Sequence, residues 1–423
     1  MQKRAFLISL VLSLTLAIAT NAWAASEKVL YSFTGGSDGG FPSSSLVMDA
    51  AGNLYGTTAA GGTKGDCSSD RIPGCGVVFK LTSVNGSWQE SVLYAFQGGP
   101  DGAYPRGNLV FDASGNLYGT TYYGGTGTCS TEGCGTAFEL SPNQNGSWIK
   151  TTLYSFQNQP DGAFPDGLTF DSSNNLYGVA TAGGTNGRGA AYELSPPQQQ
   201  GNPWTEKIIY NFQDFETQPN PVLVFDSQGN LYGTYFQLYA CFPTTGCGAV
   251  FQLKNTGGTW TLTDLFDFTG GGNGGEPMAG VILDSQGNLY GTGAQGGNNW
   301  GMVFELKPRV NGGQYEGMML HNFCSINNCA DGMTPDAALV MDSSGALYGT
   351  TSSGGRPCRT CGLVFKLVHT KYGWDGSVLY NFRDSTDGGS PTQSLILDAQ
   401  GNLYGTTTAY GSDGHGTVYE VTQ

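Results

Sequence analysis

The chain has 423 residues, a formal charge of −15 from 18 basic and 33 acidic side chains, 68 glycines, and charged and aromatic residues at 12% each. A surface of that sign repels phosphate backbones, so nucleic acid is not expected as a partner. Abundant Gly and aromatic residues with little Lys or Glu argue against a helical protein and for short strands joined by tight turns.

The first segment reads as a leader. Lys3 and Arg4 precede an uncharged apolar run from Ala5 to Ala19, and Ala22-Trp23-Ala24 supplies a small-x-small cleavage site. This is the pattern of a secretory signal peptide over residues 1–24. The run is shorter than the roughly 20 apolar residues a membrane span needs. No later segment is continuously apolar, so no membrane span is expected once the leader is removed. Residues 25–423 are read as one domain, expected to be a monomer.

Self-similarity governs everything after residue 28. Val29–Phe33 (VLYSF) recurs as Val92–Phe96, Thr152–Phe156, Ile208–Phe212, Asp264–Phe268, Met319–Phe323 and Val378–Phe382, at spacings of 55 to 63 residues. Ser45–Asp49 (SLVMD) with Asn53–Thr58 (NLYGTT), and then Gly76–Leu81 (GVVFKL), each recur seven times, the last copy ending in Gly416–Val421. These elements are short, rich in Val, Tyr, Phe and Leu, and bounded by Gly, Asn and Pro, so each is predicted to be a strand. The turn Asp49–Asn53 joins the first pair, with Gly52 suited to positive φ; Asn85-Gly86 and Asn145-Gly146 join later pairs. The unit is therefore four antiparallel strands: a (SLVMD), b (NLYGTT), c (GVVFKL) and d (VLYSF).

The order of the strands selects the architecture. The chain opens on a lone d strand and closes on a lone a-b-c set. A linear array would leave an apolar edge at each end without a polar cap. Closing a ring removes both edges: the first strand completes the last blade. The expected fold is an all-β, seven-bladed β-propeller.

Ten cysteines fall in five close pairs, Cys67/Cys75, Cys129/Cys134, Cys241/Cys247, Cys324/Cys329 and Cys358/Cys361. An even count in an exported chain reads as disulfides, which places the protein outside the cytoplasm, extracellular or periplasmic. Zinc is the rival reading, but the three histidines (His321, His369, His415) are not spaced to join these pairs. Cys358-Arg-Thr-Cys361 also has the form of a redox motif, though it opens a strand and not a helix.

In a propeller, the d-to-a and b-to-c connections share one face, and here they are long and carry all the cysteines. Ligand sites are expected on that face or at the mouth of the axial channel. The d-to-a loops repeat Asp-Gly-x-x-Pro with Asp38, Asp101, Asp161, Asp331 and Asp387; the fifth blade has Asn273 in place of Asp, and the fourth lacks the motif. These carboxylates admit two readings, a ring holding a cation such as calcium or turns in which each Asp bonds its own backbone. The Asp that ends each a strand occurs in all seven copies, which suits a scaffold role because one active centre needs one residue per role.

Function is expected where the repeat breaks. Just after the loop proline, where strand a enters the channel, stand Ser43, Arg106, Asp166, Asn220, Met278, Asp336 and Thr392. Arg106, Asp166 and Asp336 are the charged members, read as a ligand anchor or acid/base group or as a solvated ion-pair set. Trp300 and His415 stand in loops where other copies have Gly or Cys. Trp300 suits stacking on a sugar or capping a blade edge, and His321, replacing a strand-d Tyr, suits a packed core position. No nucleophile elbow, P-loop or dinucleotide fingerprint occurs.

The combination of NLYGTT-x-x-Gly-Gly, Cys-Gly before VFKL, and VLYSF beside Asp-Gly-x-x-Pro resembles the GloVer-type tandem repeat of exported bacterial proteins, labelled choice-of-anchor and also called extracellular repeat proteins. The resemblance spans residues 28 to 423. It implies an exported repeat protein and supports localisation and architecture more than any activity. The chain ends at Gln423 without a hydrophobic tail or sorting segment, so release or periplasmic residence is expected in preference to anchoring. The functional expectation is a binding or structural propeller taking a glycan or protein on its loop-rich face. The rival is an extracytoplasmic hydrolase, lyase or lactonase with a metal at the channel mouth.

Overall fold

The computed structural model describes residues 25–62, 67, 73–129, 131–199, 202–213, 217–220, 222–237, 247–296, 299–310 and 313–423; the predicted leader and Cys241 lie outside the described residues. Seven antiparallel sheets follow one another along the chain. In blade 2, strand a is Ala103–Phe111, b Leu117–Tyr123, c Thr136–Pro142 and d Trp148–Ser155. The seventh sheet is assembled from both ends of the chain. Ser26–Ser32 pairs antiparallel with Thr417–Thr422, from Ser26↔Thr422 to Ser32↔Thr417, with a one-residue register shift between Val29 and Tyr31.

The packing explains why d and c carry aromatic residues. The Phe that follows each d strand (Phe33, Phe96, Phe156, Phe212, Phe268, Phe323, Phe382) is buried. It meets the strand-c aromatic of the next blade in an edge-on contact, from Phe96 on Phe138 at 5.2 Å to Phe382 on Tyr419 at 4.9 Å. Phe33 meets Phe79 at 5.0 Å across the closure. Such pairs contribute about 0.5–1.5 kcal/mol beyond the area they bury. Closure therefore uses the same contact as every other blade junction.

A second junction sits on the loop face. The Gly before strand c of each blade lies under the loop proline of the next, as Gly76 does under Pro105 and Gly416 under Pro42; a Cβ on either glycine would stand 2.6 Å from the proline ring. The residue before that proline takes a left-handed backbone in six blades: Phe41, Tyr104, Phe164, Glu276, Thr334 and Ser390, with φ between 51° and 58°. Each such conformation costs about 1–2 kcal/mol in a non-glycine residue. Each is held because its N–H donates to the preceding blade, to the carbonyls of His415, Cys75, Cys134, Cys247, Trp300 and Cys361, at 2.8–2.9 Å.

Strand a departs from expectation. Only blades 2 and 3 keep it continuous, as Ala103–Phe111 and Gly162–Phe170; in blade 1 it is split into Gly40–Pro42 and Val47–Met48. Near the axis the blades are too close for a regular ladder. The register slips between Arg106 and Val110, and Gly107 (φ +75°) lets the chain pass where a Cβ would stand 2.7 Å from the Cα of Gly167.

The Asp ending each a strand is a turn staple. Asp49 Oδ1 accepts the N–H groups of Ala51 and Asn53, and Oδ2 accepts from Asn53 Nδ2 and Tyr55 Oη. Burial alone would raise its carboxyl, but these donors win and hold it below the usual range. The same bonds recur at Asp112, Asp171, Asp226, Asp284 and Asp398. Disulfides join Cys67–Cys75, Cys129–Cys134, Cys324–Cys329 and Cys358–Cys361, as an oxidising, extracytoplasmic compartment requires. Among the described residues no helix is long and apolar enough to cross a membrane.

Candidate functional site

The seven strand-a entry residues converge. Ser43, Arg106, Asp166, Asn220, Met278, Asp336 and Thr392 all line one axial cavity of about 450 Å³. Hydrogen bonds stitch its wall from blade to blade. Ser43 Oγ donates to Pro105 O at 2.7 Å, Asn108 Nδ2 to Leu168 O at 2.9 Å, and Ser394 N to Ser45 Oγ at 3.2 Å. Asn220 Nδ2 donates to Pro277 O in the following blade. The rim is thereby preorganised, with each of these polar side chains fixed by a neighbouring blade.

Arg106 and Asp166 come from adjacent blades and form an ion pair, Nε to Oδ2 at 3.0 Å, with the arginine side chain 57% exposed and the aspartate 4%. Burial pushes the Asp166 carboxyl up, Arg106 pulls it back, and the balance stands at about 6. Its Oδ1 is shielded from solvent and has no hydrogen-bond partner among the described residues. The Arg106 guanidinium lies over the Tyr122 ring at 5.3 Å, and Tyr122 is stacked on Phe164 at 4.9 Å. Asp336 belongs to another part of the rim. Burial raises its carboxyl while a 2.7 Å bond from Ser352 Oγ opposes the shift. Arg106 and Asp166 thus act together, and Asp336 stands apart from them with its own partner.

None of the Asp-Gly-x-x-Pro aspartates lines the axial cavity, and their bonds are of the kind the turn reading expects. Asp38 accepts Tyr31 Oη at 2.9 Å and Thr34 N at 2.8 Å. Asp101 accepts Tyr94 Oη and Gln97 N, and Asp161 accepts Tyr154 Oη and Gln157 N. Asp387 accepts Tyr380 Oη at 2.8 Å. At Asp331 the strand-d tyrosine is replaced by His321, 3.8 Å away, and Ser325 supplies the bonds instead. His321 is part-exposed beside a small cleft over Gly376, so it is not a fully packed core residue. Four of the five motif aspartates tie their loop to a strand-d tyrosine, Asp331 bonds its own loop through Ser325 and Ile326, and all are occupied by such bonds.

Trp300 and His415 also lie outside the axial cavity. Both occupy the junction position whose carbonyl receives the left-handed N–H of the next blade. Trp300 is 41% exposed with Arg359 over its ring at 5.8 Å, and His415 packs edge-on against Phe41 at 5.6 Å. Among the described residues the only group of three metal-ligating side chains within mutual reach is Cys358, Cys361 and Asp384, and its two cysteines are joined as a disulfide.

Sequence reasoning missed the aromatic wall. Tyr122 and Tyr123 follow NLYGTT in blade 2, where the other copies carry Ala, Thr, Ser or Gln except for Phe236 in blade 4. That break in the repeat was a readable signal. Tyr104 and Phe164 were hidden because their aromatic character repeats at Phe41 and resembles core.

No curated protein matches the chain. Among solved structures, a protein from Lactobacillus plantarum is similar at 13% identity and a TM-score of 0.50, covering 84% of this chain and 97% of that one. A polysaccharide lyase is similar at 9% identity and a TM-score of 0.52, covering 91% and 90%. An ulvan lyase bound to -[GlcA(1-4)Rha3S]- is similar at 10% identity and a TM-score of 0.51, covering 90% and 92%. At these identities the likeness concerns the fold alone. The Gloeobacter/Verrucomicrobia repeat matches residues 16–143, 127–343 and 238–423, and the chain belongs to that family.

Proposed function

We propose that this propeller is an exported binding module that takes a carbohydrate at the axial mouth of its loop face. One observation carries the reading. The residue after the loop proline differs among the copies, its seven occurrences converge on a single cavity, and there a half-exposed Arg106 is held in place by a buried Asp166 and an aromatic face. A planar donor fork beside ring faces and fixed hydroxyl and amide groups suits a ligand that is hydroxylated at its edges and apolar on its faces. The solved polysaccharide lyases share the fold; the reading rests on this chain's own residues.

The test is a glycan array followed by calorimetry on residues 25–423, with Arg106→Gln as the comparison. Arg106→Gln is expected to weaken the array hit about tenfold or more, as loss of a central anchor does. Equal affinity in the two proteins refutes the site. Export through residues 1–24 is checked by N-terminal sequencing of the protein recovered outside the cytoplasm, which should begin at Ala25.

A second reading, an extracytoplasmic hydrolase or lyase, is favoured by Asp166 alone: a shielded carboxyl near pH 6 with one oxygen unpartnered is able to exchange a proton at neutral pH. Release of shortened or unsaturated products from the array hit, abolished in Asp166→Asn, would select it over simple binding.

A further inference from the structure

We infer that the ligand is an extended saccharide chain lying across blades 1 to 3, with the axial cavity as one subsite and a second cavity as another; this rests on the carbohydrate reading above. The second cavity, of about 270 Å³, opens on the same loop face and is lined by Ala103, Tyr104, Tyr123 and Glu132, among others. Tyr122 and Tyr123 are consecutive residues at the end of one strand, and both rings pack against Phe164, at 4.9 and 5.6 Å. Tyr122 faces the axial cavity and Tyr123 the second one. Their rings touch edge-on at 4.9 Å, and Tyr123 meets Tyr104 at 5.4 Å. With Arg106 over Tyr122 at 5.3 Å, an unbroken run of ring contacts leads from the guanidinium to the second cavity.

That run is longer than one sugar ring, and a lone sugar in either cavity would leave the other empty. The far end also holds an unfilled bond. Tyr104 Oη is shielded from solvent without a hydrogen-bond partner among the described residues, on a residue held at φ +55° by its N–H bond to Cys75 O. Buried hydroxyls are nearly always bonded, and one left open on a cavity wall fits a hydroxylated ligand. At one position of the rim the aromatic residues cluster on this arc, and Phe236 of blade 4 adds one more ring to the axial cavity. At the residue before the loop proline, blades 1 to 3 carry Phe41, Tyr104 and Phe164, while blades 5 to 7 carry Glu276, Thr334 and Ser390.

The experiment uses a glycan array printed with homologous glucan, xylan and polyuronate series from mono- to hexasaccharide. Binding should rise with chain length in the recognised series. Tyr104→Ala and Tyr123→Ala should each weaken the hexasaccharide about tenfold, the size of one lost anchor, so that length no longer confers an advantage. Tyr104→Phe, which keeps the ring packing and removes only the orphan hydroxyl, should lose a fewfold and guards against a folding defect. Arg106-dependent binding that is the same for short and long chains overturns the extended site and leaves the carbohydrate reading standing. No binding by the wild type to any series overturns the carbohydrate reading itself.

Discussion

Three blade junctions bury a Glu against a loop Asp, and a fourth shows the alternative. Glu90 on strand d of blade 1 is half-buried; burial first, and then the charge of Asp38, push its carboxyl from 4.5 up to about 7, and its Oε1 has no hydrogen-bond partner among the described residues. Glu206 beside Asp161 and Glu27 beside Asp387 are raised to about 7 in the same way. In blade 2 the same position holds Lys150, whose Nζ lies 3.1 Å from Asp101 Oδ1 and 2.6 Å from Asp101 O. A carboxyl whose folded pKa exceeds its unfolded value favours the fold in its protonated form. Glu90 therefore carries no penalty below about pH 4.5, and stability is lost as pH rises towards 7, with the full penalty above it. The shift caps that penalty at about 3 kcal/mol, and screening at a half-exposed site reduces it to about 1–2 kcal/mol. Glu90→Gln should then stabilise the protein by about that amount at pH 8 relative to its effect at pH 4.5. Glu90→Lys should gain further by pairing with Asp38 as Lys150 pairs with Asp101. Urea unfolding of wild type and variant across pH 4.5 to 8, with unchanged m values, measures the difference. Any cost of the new amide is independent of pH and cancels in the comparison. A Glu90→Gln difference that is flat across this range refutes the argument.

Phe33→Ala should cost about 3–5 kcal/mol in the same assay, as much as Phe156→Ala in an interior junction, because both rings are buried against the next blade; a cost below about 1 kcal/mol for Phe33 alone would mean the first strand does not close the ring. Arg106→Gln should raise the Asp166 carboxyl above its present value of about 6, since the one opposing charge is removed. The change is read by carboxyl-carbon NMR titration, and an unchanged midpoint contradicts the ion pair. Replacing Cys129 and Cys134 by Ser should cost about 2 kcal/mol, the chain-entropy value for so short a loop, and a loss several times larger would show that this loop organises its blade.

What could be read without coordinates was whatever repeats or obeys local chemistry. Alternation and turn residues placed the strands, and an unmatched d strand at one end with an unmatched a-b-c set at the other demanded closure. The offset from the loop proline located the seven residues of the axial rim, because a fixed distance along strand a becomes a fixed radius in a ring. Tertiary structure alone decided how those positions meet. Arg106 and Asp166 are about one repeat apart in the chain and pair only because consecutive blades stand side by side at the axis. Asp38 and Glu90 share a junction, and Tyr104 touches Tyr123, for the same reason. The aspartate of Asp-Gly-x-x-Pro was read as a turn residue or a cation ligand, and its bond to the strand-d tyrosine was missed because that tyrosine was already assigned to packing, while a tyrosine ring and its hydroxyl serve different neighbours. Strand a was drawn as five residues in every copy, whereas it runs for nine in blades 2 and 3 and its outer piece for two elsewhere, because the sequence pattern does not register how the blades meet at the axis. Periodicity belongs to the single chain; contact between blades depends on the curvature of the closed ring, which no single repeat encodes.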